Sequence, residues 1–211
     1  MRLRIDLHVH TRDSLDSHIS LDDAARRCRE EDLDGFAVTN HDFFSDIPSS
    51  WLKKTDLVIL RGMEVSARGA HILALDINEE VEMGLGIRET VEKNHEQGGL
   101  AIIAHPYSVL RTWVNRREIE AAGFDLVEVA NAYQFPYGWM LERNTRLAQE
   151  LGLPQTGGSD AHIPRTVGRA YTVLEVDERS DEGVLEALRK GKTRAEGRGI
   201  SLAERLKLDK G

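Results

Sequence analysis

Six of the eight histidines in this chain fall where a short apolar run begins or ends, and carboxylates join them at equivalent places. His8 and His10 close the first predicted strand, His41 follows the second, His71 opens the fourth, His105 closes the fifth, and His162 follows the small-residue run "TGGSDAH". Asp6 and Asp16 lie near the first strand, Asp42 after the second, Glu64 at the end of the third, Glu128 in the sixth, and Asp160 beside His162. Neutral imidazoles and carboxylates suit Zn, Mn, Fe or Co, and the lack of cysteine at these positions argues against a closed structural zinc site. Two or three cations a few ångströms apart can generate a hydroxide nucleophile near neutral pH and clamp the attacking and leaving oxygens of a phosphate ester. Glu64 is the expected bridge, because a carboxylate can give one oxygen to each of two ions. Asp13 and His18, in the loop after the first strand, and His95, in the charged run "EKNHEQ", read as solvated bystanders.

Such a set needs a scaffold that gathers strand ends. Short, mostly apolar segments read as buried strands at 3–9, 35–39, 56–66, 70–77, 100–105, 125–131, 153–158 and 169–176. Between them, "SLDDAARRCREEDLDG", "GIRETVEKNHEQGG", "YGWMLERNTRLAQELGLP" and "SDEGVLEALRKGK" carry helix punctuation: Ser20 as a potential N-cap, and Gly or Gly-x-Pro stops. This alternation indicates an α/β fold with a mainly parallel sheet. A barrel is favoured over an open sheet, because all parallel strand ends meet on one face of a barrel, whereas in an open sheet they lie in a line. Along "DLHVHT", period 2 sends His8 and His10 together to the barrel's mouth and Leu7 and Val9 to the surrounding helices.

Length and 40% apolar content fit one domain spanning residues 1–211, with 193–211 expected as a surface helix or loose tail. The formal net charge of −8, with no basic stripe, disfavours high-affinity binding of duplex nucleic acid. A lone cysteine, Cys28, excludes a disulfide framework and reads as a helix packing position. No apolar run approaches the roughly 20 residues of a spanning helix, and "MRLRIDLHVH" lacks the apolar core of a signal peptide. The expectation is a cytoplasmic protein with no membrane partner.

In order and spacing, "DLHVHT" (6–11), "TNHD" (39–42), "GMEVS" (62–66), "AHP" (104–106) and "GGSDAH" (157–162) resemble the motifs of the PHP family, the polymerase and histidinol phosphatase domain. The resemblance implies a distorted (β/α)7 TIM-like barrel of PHP type that holds up to three divalent metals, Zn, Mn or Fe, and hydrolyses phosphate esters. Carried over by position, His8, His10, Glu64 and Asp160 would hold one metal. Glu64 would bridge to a second held by His71 and His105, and Asp16, His41 and His162 would hold a third. Glu64, His41 and His162 are the expected catalytic residues, with an imidazole of the last two aiding the leaving oxygen. Asp6, Asn40, Asp42 and Asn131 are expected to orient these side chains from behind. The family's second motif usually reads T-D-H-D, so Asn40 stands where an Asp is common; it can hydrogen-bond but cannot act as a base. On loops after the ligand strands, Arg111 and Arg165 are expected to contact phosphate, and the aromatics of "YQFPYGW" can stack on a base or cover a leaving group. Arg143 and Trp139 read instead as a surface residue and a packing residue. The expected substrate is a phosphorylated small molecule or nucleotide. The alternatives are an exonuclease acting on short single-stranded nucleic acid and a catalytically silent metal-binding module.

Overall fold

Eleven strands and six α-helices form among the residues described by the computed structural model, namely 1–108, 112–202 and 204–205. In chain order the strands are β1 (Arg2–Val9), β2 (Gly35–His41), β3 (Val58–Ala67), β4 (Ala70–Leu75), β5 (Leu100–Ala104), β6 (Tyr107–Ser108), β7 (Thr112–Trp113), β8 (Leu126–Asn131), β9 (Gln155–Gly158), β10 (Ala170–Glu175) and β11 (Thr193–Gly197). The helices are α1 (Leu21–Glu30), α2 (Ser49–Leu52), α3 (Ile87–Glu96), α4 (Arg116–Ala122), α5 (Tyr137–Leu151) and α6 (Asp181–Arg189). Local chemistry sets the helix ends. Ser20 and Asp23 cap α1 reciprocally, and α5 stops where Gly152 turns left-handed at φ 68°.

Nine strands form one sheet in the order β11-β10-β1-β2-β3-β4-β5-β8-β9, with β6 and β7 pairing separately. The sheet curls until its last strand returns to its first members. Asp160 N donates to His8 O at 2.8 Å, His10 N to Ala161 O at 3.1 Å, and Gly157 N to Thr172 Oγ1 at 2.8 Å. The result is a nearly closed, distorted α/β barrel.

Two sequence expectations change. The sheet is mixed rather than mainly parallel: β1–β2, β2–β3, β5–β8 and β8–β9 run parallel, while β3–β4, β4–β5, β1–β10 and β10–β11 run antiparallel. Only Arg68 and Gly69 join β3 to β4, with Gly69 at φ 92°, and so tight a turn forces a hairpin. Residues 193–197, expected in a surface helix or loose tail, form the edge strand β11. There Arg194 and Glu196 are interleaved with Thr193 and Ala195, an alternation masked by the charges.

The core has two sides. Leu3, Ile5 and Leu7 of β1 cluster with Leu60, Leu73, Ile102 and Leu126, which strands from across the sheet can do only inside the curl. Val184, Leu185 and Leu188 of α6 join that cluster, plugging the end away from the histidines. Val9 belongs instead to the helix-side cluster with Ala24, Cys28, Phe36 and Val38. Leu7 thus faces inward, not toward the helices, because a register irregularity between Asp6 and Val9 breaks the period-2 alternation. Cys28 is fully buried in this packing, and burial pushes its thiol pKa far up, consistent with a packing role.

Candidate metal centre

The strand register brings the polar side chains together. His41 lies directly across from Glu64, Ser66 from His71, and His71 from Ala104, the residue before His105. His8 and His10 arrive from β1, Glu128 from β8, and Asp160 and His162 from the turn after β9. Three residues at this rim, Asp42, His105 and Asp160, hold positive φ values of 49°, 30° and 53°. Strain of this kind persists where the surrounding structure over-determines it, often at functional sites.

Glu64 is the centre of the arrangement and is fully buried. Its Oε2 faces His8 Nε2 at 3.1 Å, His10 Nε2 at 3.3 Å and His41 Nδ1 at 3.1 Å. Its Oε1 faces His71 Nδ1 at 2.9 Å and His105 Nε2 at 3.0 Å. One carboxylate thus separates two sets of nitrogens, one per oxygen.

Asp160 Oδ1 completes the first set, 3.2 Å from His10 Nε2 and 3.7 Å from His8 Nε2. Asp16 Oδ2 lies 3.2 Å from His162 Nε2 and 3.6 Å from His41 Nε2, at the exposed edge. Three groups present ligand atoms within 4.8 Å of one another in a way that suits a cation: His8–His10–Glu64–Asp160, Glu64–His71–His105 and His10–His41–His162. A fourth such group, His8–His105–Glu128, shares His8 with the first.

A further observation fits these residues to metal ions. His10 Nε2 is buried and makes no hydrogen bond, although carboxylate oxygens stand 3.2 and 3.3 Å away. A nitrogen aimed between two carboxylates outside hydrogen-bonding geometry suits a metal ligand. Buried polar atoms otherwise find a hydrogen-bond partner.

Electrostatics divides the imidazoles. Burial alone would lower His8, His10 and His105, but the neighbouring carboxylates, Glu64 first for His8 and His105 and Asp160 first for His10, outweigh it and raise all three. Glu64 and Asp160 are held well below the usual carboxylate range, burial being overcome by the surrounding histidines. Nearer solvent the balance reverses. Burial and the neighbouring His10 lower His41 to about 4 and also lower His162, leaving both neutral near pH 7.

The supporting residues occupy defined places. Asp6 accepts backbone N–H groups from Ser159 at 2.8 Å, Gly168 at 2.8 Å and His8 at 3.2 Å, tying β1 to the turn after β9; burial raises its pKa to about 6. Asn40 accepts from Thr11 N and Ser14 Oγ and donates to Thr11 Oγ1 and Ser45 Oγ. Ser14 in turn accepts from His41 N at 2.9 Å and lies 3.3 Å from His10 Nδ1, so Asn40 acts on the histidines through Ser14. Asp42 braces the ends of β2 and β3, accepting from Ser66 N at 2.6 Å. Asn131 donates to Glu128 at 3.0 Å and Asp160 at 3.2 Å.

Two supports were not assigned from sequence. Glu128 accepts from His8 Nδ1 at 2.9 Å and from His105 N at 3.0 Å; its signal was a buried carboxylate inside an apolar strand. Ser14 gave no signal, since its role depends on how the loop folds.

The expected substrate contacts fare differently. Arg111 lies outside the described residues. Arg165 is exposed three residues beyond His162, and no hydrogen bond or ion pair fixes it among the described residues. Trp139, read as a packing residue, is 47% exposed. Arg143, read as a surface residue, is half-buried, with its guanidinium over the rings of Tyr107 and Trp139. His18 and Asp13 are exposed, and His95, also exposed, pairs with Asp125 at 2.9 Å.

Other proteins resemble this chain in sequence or in fold. The uncharacterized protein MJ1587 of Methanocaldococcus jannaschii is 31% identical over 143 residues, covering 62% of this chain and 83% of that protein. A two-domain protein from Bacteroides vulgatus containing a predicted PHP-like metal-dependent phosphoesterase superposes with a TM-score of 0.70 at 20% identity, over 94% of this chain and 65% of that one. The lesion-specific endonuclease PfuEndoQ from Pyrococcus furiosus does so with a TM-score of 0.65 at 17% identity, over 92% of this chain and 58% of its own. This chain thus spans about two thirds or less of either solved structure. Residues 139–193 match the PHP-associated family model. Residues 6–136, which carry all but two of the gathered histidines and acids, match the PHP domain model, and the chain belongs to the PHP domain family.

Proposed function

We propose that this chain is a metal-dependent phosphoesterase that hydrolyses phosphate esters of small molecules or nucleotides. The observation that carries the proposal is Glu64, whose two oxygens face separate sets of histidines 2.9–3.3 Å away. His8, His10, Glu64 and Asp160 would hold one divalent ion, Glu64, His71 and His105 a second, and Asp16, His41 and His162 a third. Zn, Mn and Fe suit these nitrogen and oxygen donors. Such ions would neutralise phosphoryl oxygens and activate water as a nucleophile.

His41 and His162 line the open side. Their lowered pKa values leave lone pairs available at neutral pH, which supports ligation over proton donation to the leaving oxygen. Arg165 is the remaining described candidate for phosphate contact, at a position where a freely placed guanidinium can pair with two phosphate oxygens.

An endonuclease shares the fold. The net charge of −8 favours small esters or short single strands over duplex here. Among the described residues no helix is long and apolar enough to cross a membrane.

Metal analysis of the purified protein, followed by assays with Mn and Zn on monoesters, diesters and short oligonucleotides, tests the proposal. Release of phosphate from monoesters alone would exclude the exonuclease alternative. A fully metal-loaded protein without turnover would leave only the silent-module alternative.

A further inference from the structure

Described residues beyond β11 pack against the barrel. Ile200 N donates to Ala132 O at 2.9 Å, the Ile200 side chain is buried, and Glu204 pairs with Arg169. This docking brings Arg205 to the aromatic loop that follows β8. Its Nη2 donates to the carbonyls of Tyr133 and Gln134, and its Nε to that of Ile200. The guanidinium carbon lies 5.0 Å from the Tyr133 ring centre and 5.4 Å from that of Phe135. The Tyr133 ring also lies beside His162, ring centre to ring centre 5.7 Å.

Arg205 is half-buried, yet no carboxylate lies within ion-pairing distance of it among the described residues. Three carbonyls hold Nε and Nη2 in place, and no hydrogen bond from Nη1 forms among the described residues. Holding a partly desolvated cation without a counter-charge is costly, and an anion arriving there recovers that cost. Because the Tyr133 ring lies beside both the guanidinium and His162, Arg205 sits at the rim of the metal centre. The guanidinium and the His162 ring lie 5.0 and 5.7 Å from the Tyr133 ring centre, so an anionic group held by Arg205 would be about one aromatic side chain away from the metal centre.

We propose that Arg205 is a specificity-determining residue that binds a second anionic group of the substrate, selecting phosphate esters that carry another phosphate about one aromatic ring's breadth from the reacting one. Phe135, 51% exposed beside it, offers a face on which the intervening base can stack. The proposal rests on the phosphoesterase reading and deepens it.

The test compares thymidine 5′-monophosphate with 5′-phosphorylated dithymidylate on the metal-loaded wild type, Arg205→Ala and Arg205→Lys. In Arg205→Ala, KM for the dinucleotide is expected to rise about tenfold or more with kcat within about twofold, and the monophosphate to be unaffected. Arg205→Lys, which keeps the charge and loses the planar fork, is expected to fall between. Equal losses on both substrates, or none on the dinucleotide, would overturn the proposal. If the wild type hydrolyses neither, the phosphoesterase reading fails. Equilibrium binding of the dinucleotide then decides for Arg205, and equal affinity in wild type and Arg205→Ala refutes its role.

Discussion

His8 Nδ1 lies 2.9 Å from Glu128 Oε1, while Nε2 of the same ring lies 3.1 Å from Glu64 Oε2. The first contact places a ring hydrogen on Nδ1, which leaves Nε2 as the nitrogen that a cation would engage in place of a proton. Glu128 is itself held by Asn131 and His105 N, each donating at 3.0 Å. Removing such an outer partner typically costs about 10–100-fold in metal affinity or activity. Glu128→Ala is expected to show that loss in a metal titration, and Glu128→Gln, which keeps an acceptor, a smaller one. Unchanged metal affinity in Glu128→Ala would show that Glu128 does not orient His8.

Much of this site is legible in the sequence, for a physical reason. Buried apolar strands rarely end in histidine, so His8, His10, His41 and His105 stand out as candidate ligands at strand ends, and Glu64 as the candidate acid among them. Hydrogen-bond chains through loops left no such pattern: Ser14 couples Asn40 to His10 and His41 only because the 11–18 loop folds back. Strand direction was equally hidden, since β4 is as apolar as a parallel strand and only the tight Arg68–Gly69 turn reverses it. Leu7 was placed on the wrong side because period 2 cannot anticipate the irregularity after Asp6.

The pKa shifts define how metal and pH act together on stability. His8, His10 and His105 are raised, so their protons stabilise the metal-free fold. That contribution is complete below the ordinary imidazole value of about 6.5 and is lost as pH rises through the higher folded values. Glu64 and Asp160 are lowered, so theirs is present above about 4 and lost as pH falls through their folded values. A cation takes the place of the imidazole protons on the alkaline side. The gap in Tm between metal-loaded and chelator-treated protein is therefore expected to widen from about pH 6 to about pH 8.5. A constant or narrowing gap would contradict the assignment.

Gly158 closes the barrel seam. A Cβ there would stand 2.3 Å from His8 Cβ and 2.9 Å from Glu128 Oε1, so the strand could admit it only by moving away from β1. Gly158→Ala is expected to cost about 2 kcal/mol or more and to weaken metal binding. Gly138 on α5 has open space around it, and Gly138→Ala is expected to be neutral or to stabilise by up to about 1 kcal/mol. Thermal denaturation with metal titration checks both. Equal behaviour of the two variants would argue against the close approach of β9 and β1.

Asn40 makes four hydrogen bonds, two as donor and two as acceptor. Asn40→Ala strands several buried partners and is expected to cost about 2 kcal/mol. Asn40→Asp is expected to cost less, because the hydroxyls of Thr11 and Ser45 can rotate to donate to the new oxygen. Denaturant unfolding of both variants checks the order, and a larger loss in Asn40→Asp would show that the buried charge outweighs those hydrogen bonds.

The central claim is that the histidines and acids around Glu64 hold metal ions that support phosphate ester hydrolysis. Its most direct measurement is phosphate release by one protein sample as purified, after chelation, and after return of Mn or Zn, with Glu64→Ala in parallel. The expected result is turnover that disappears on chelation, returns with metal and never appears in Glu64→Ala. Turnover that survives chelation, or a wild type that binds metal fully and releases no phosphate from any ester, would contradict it.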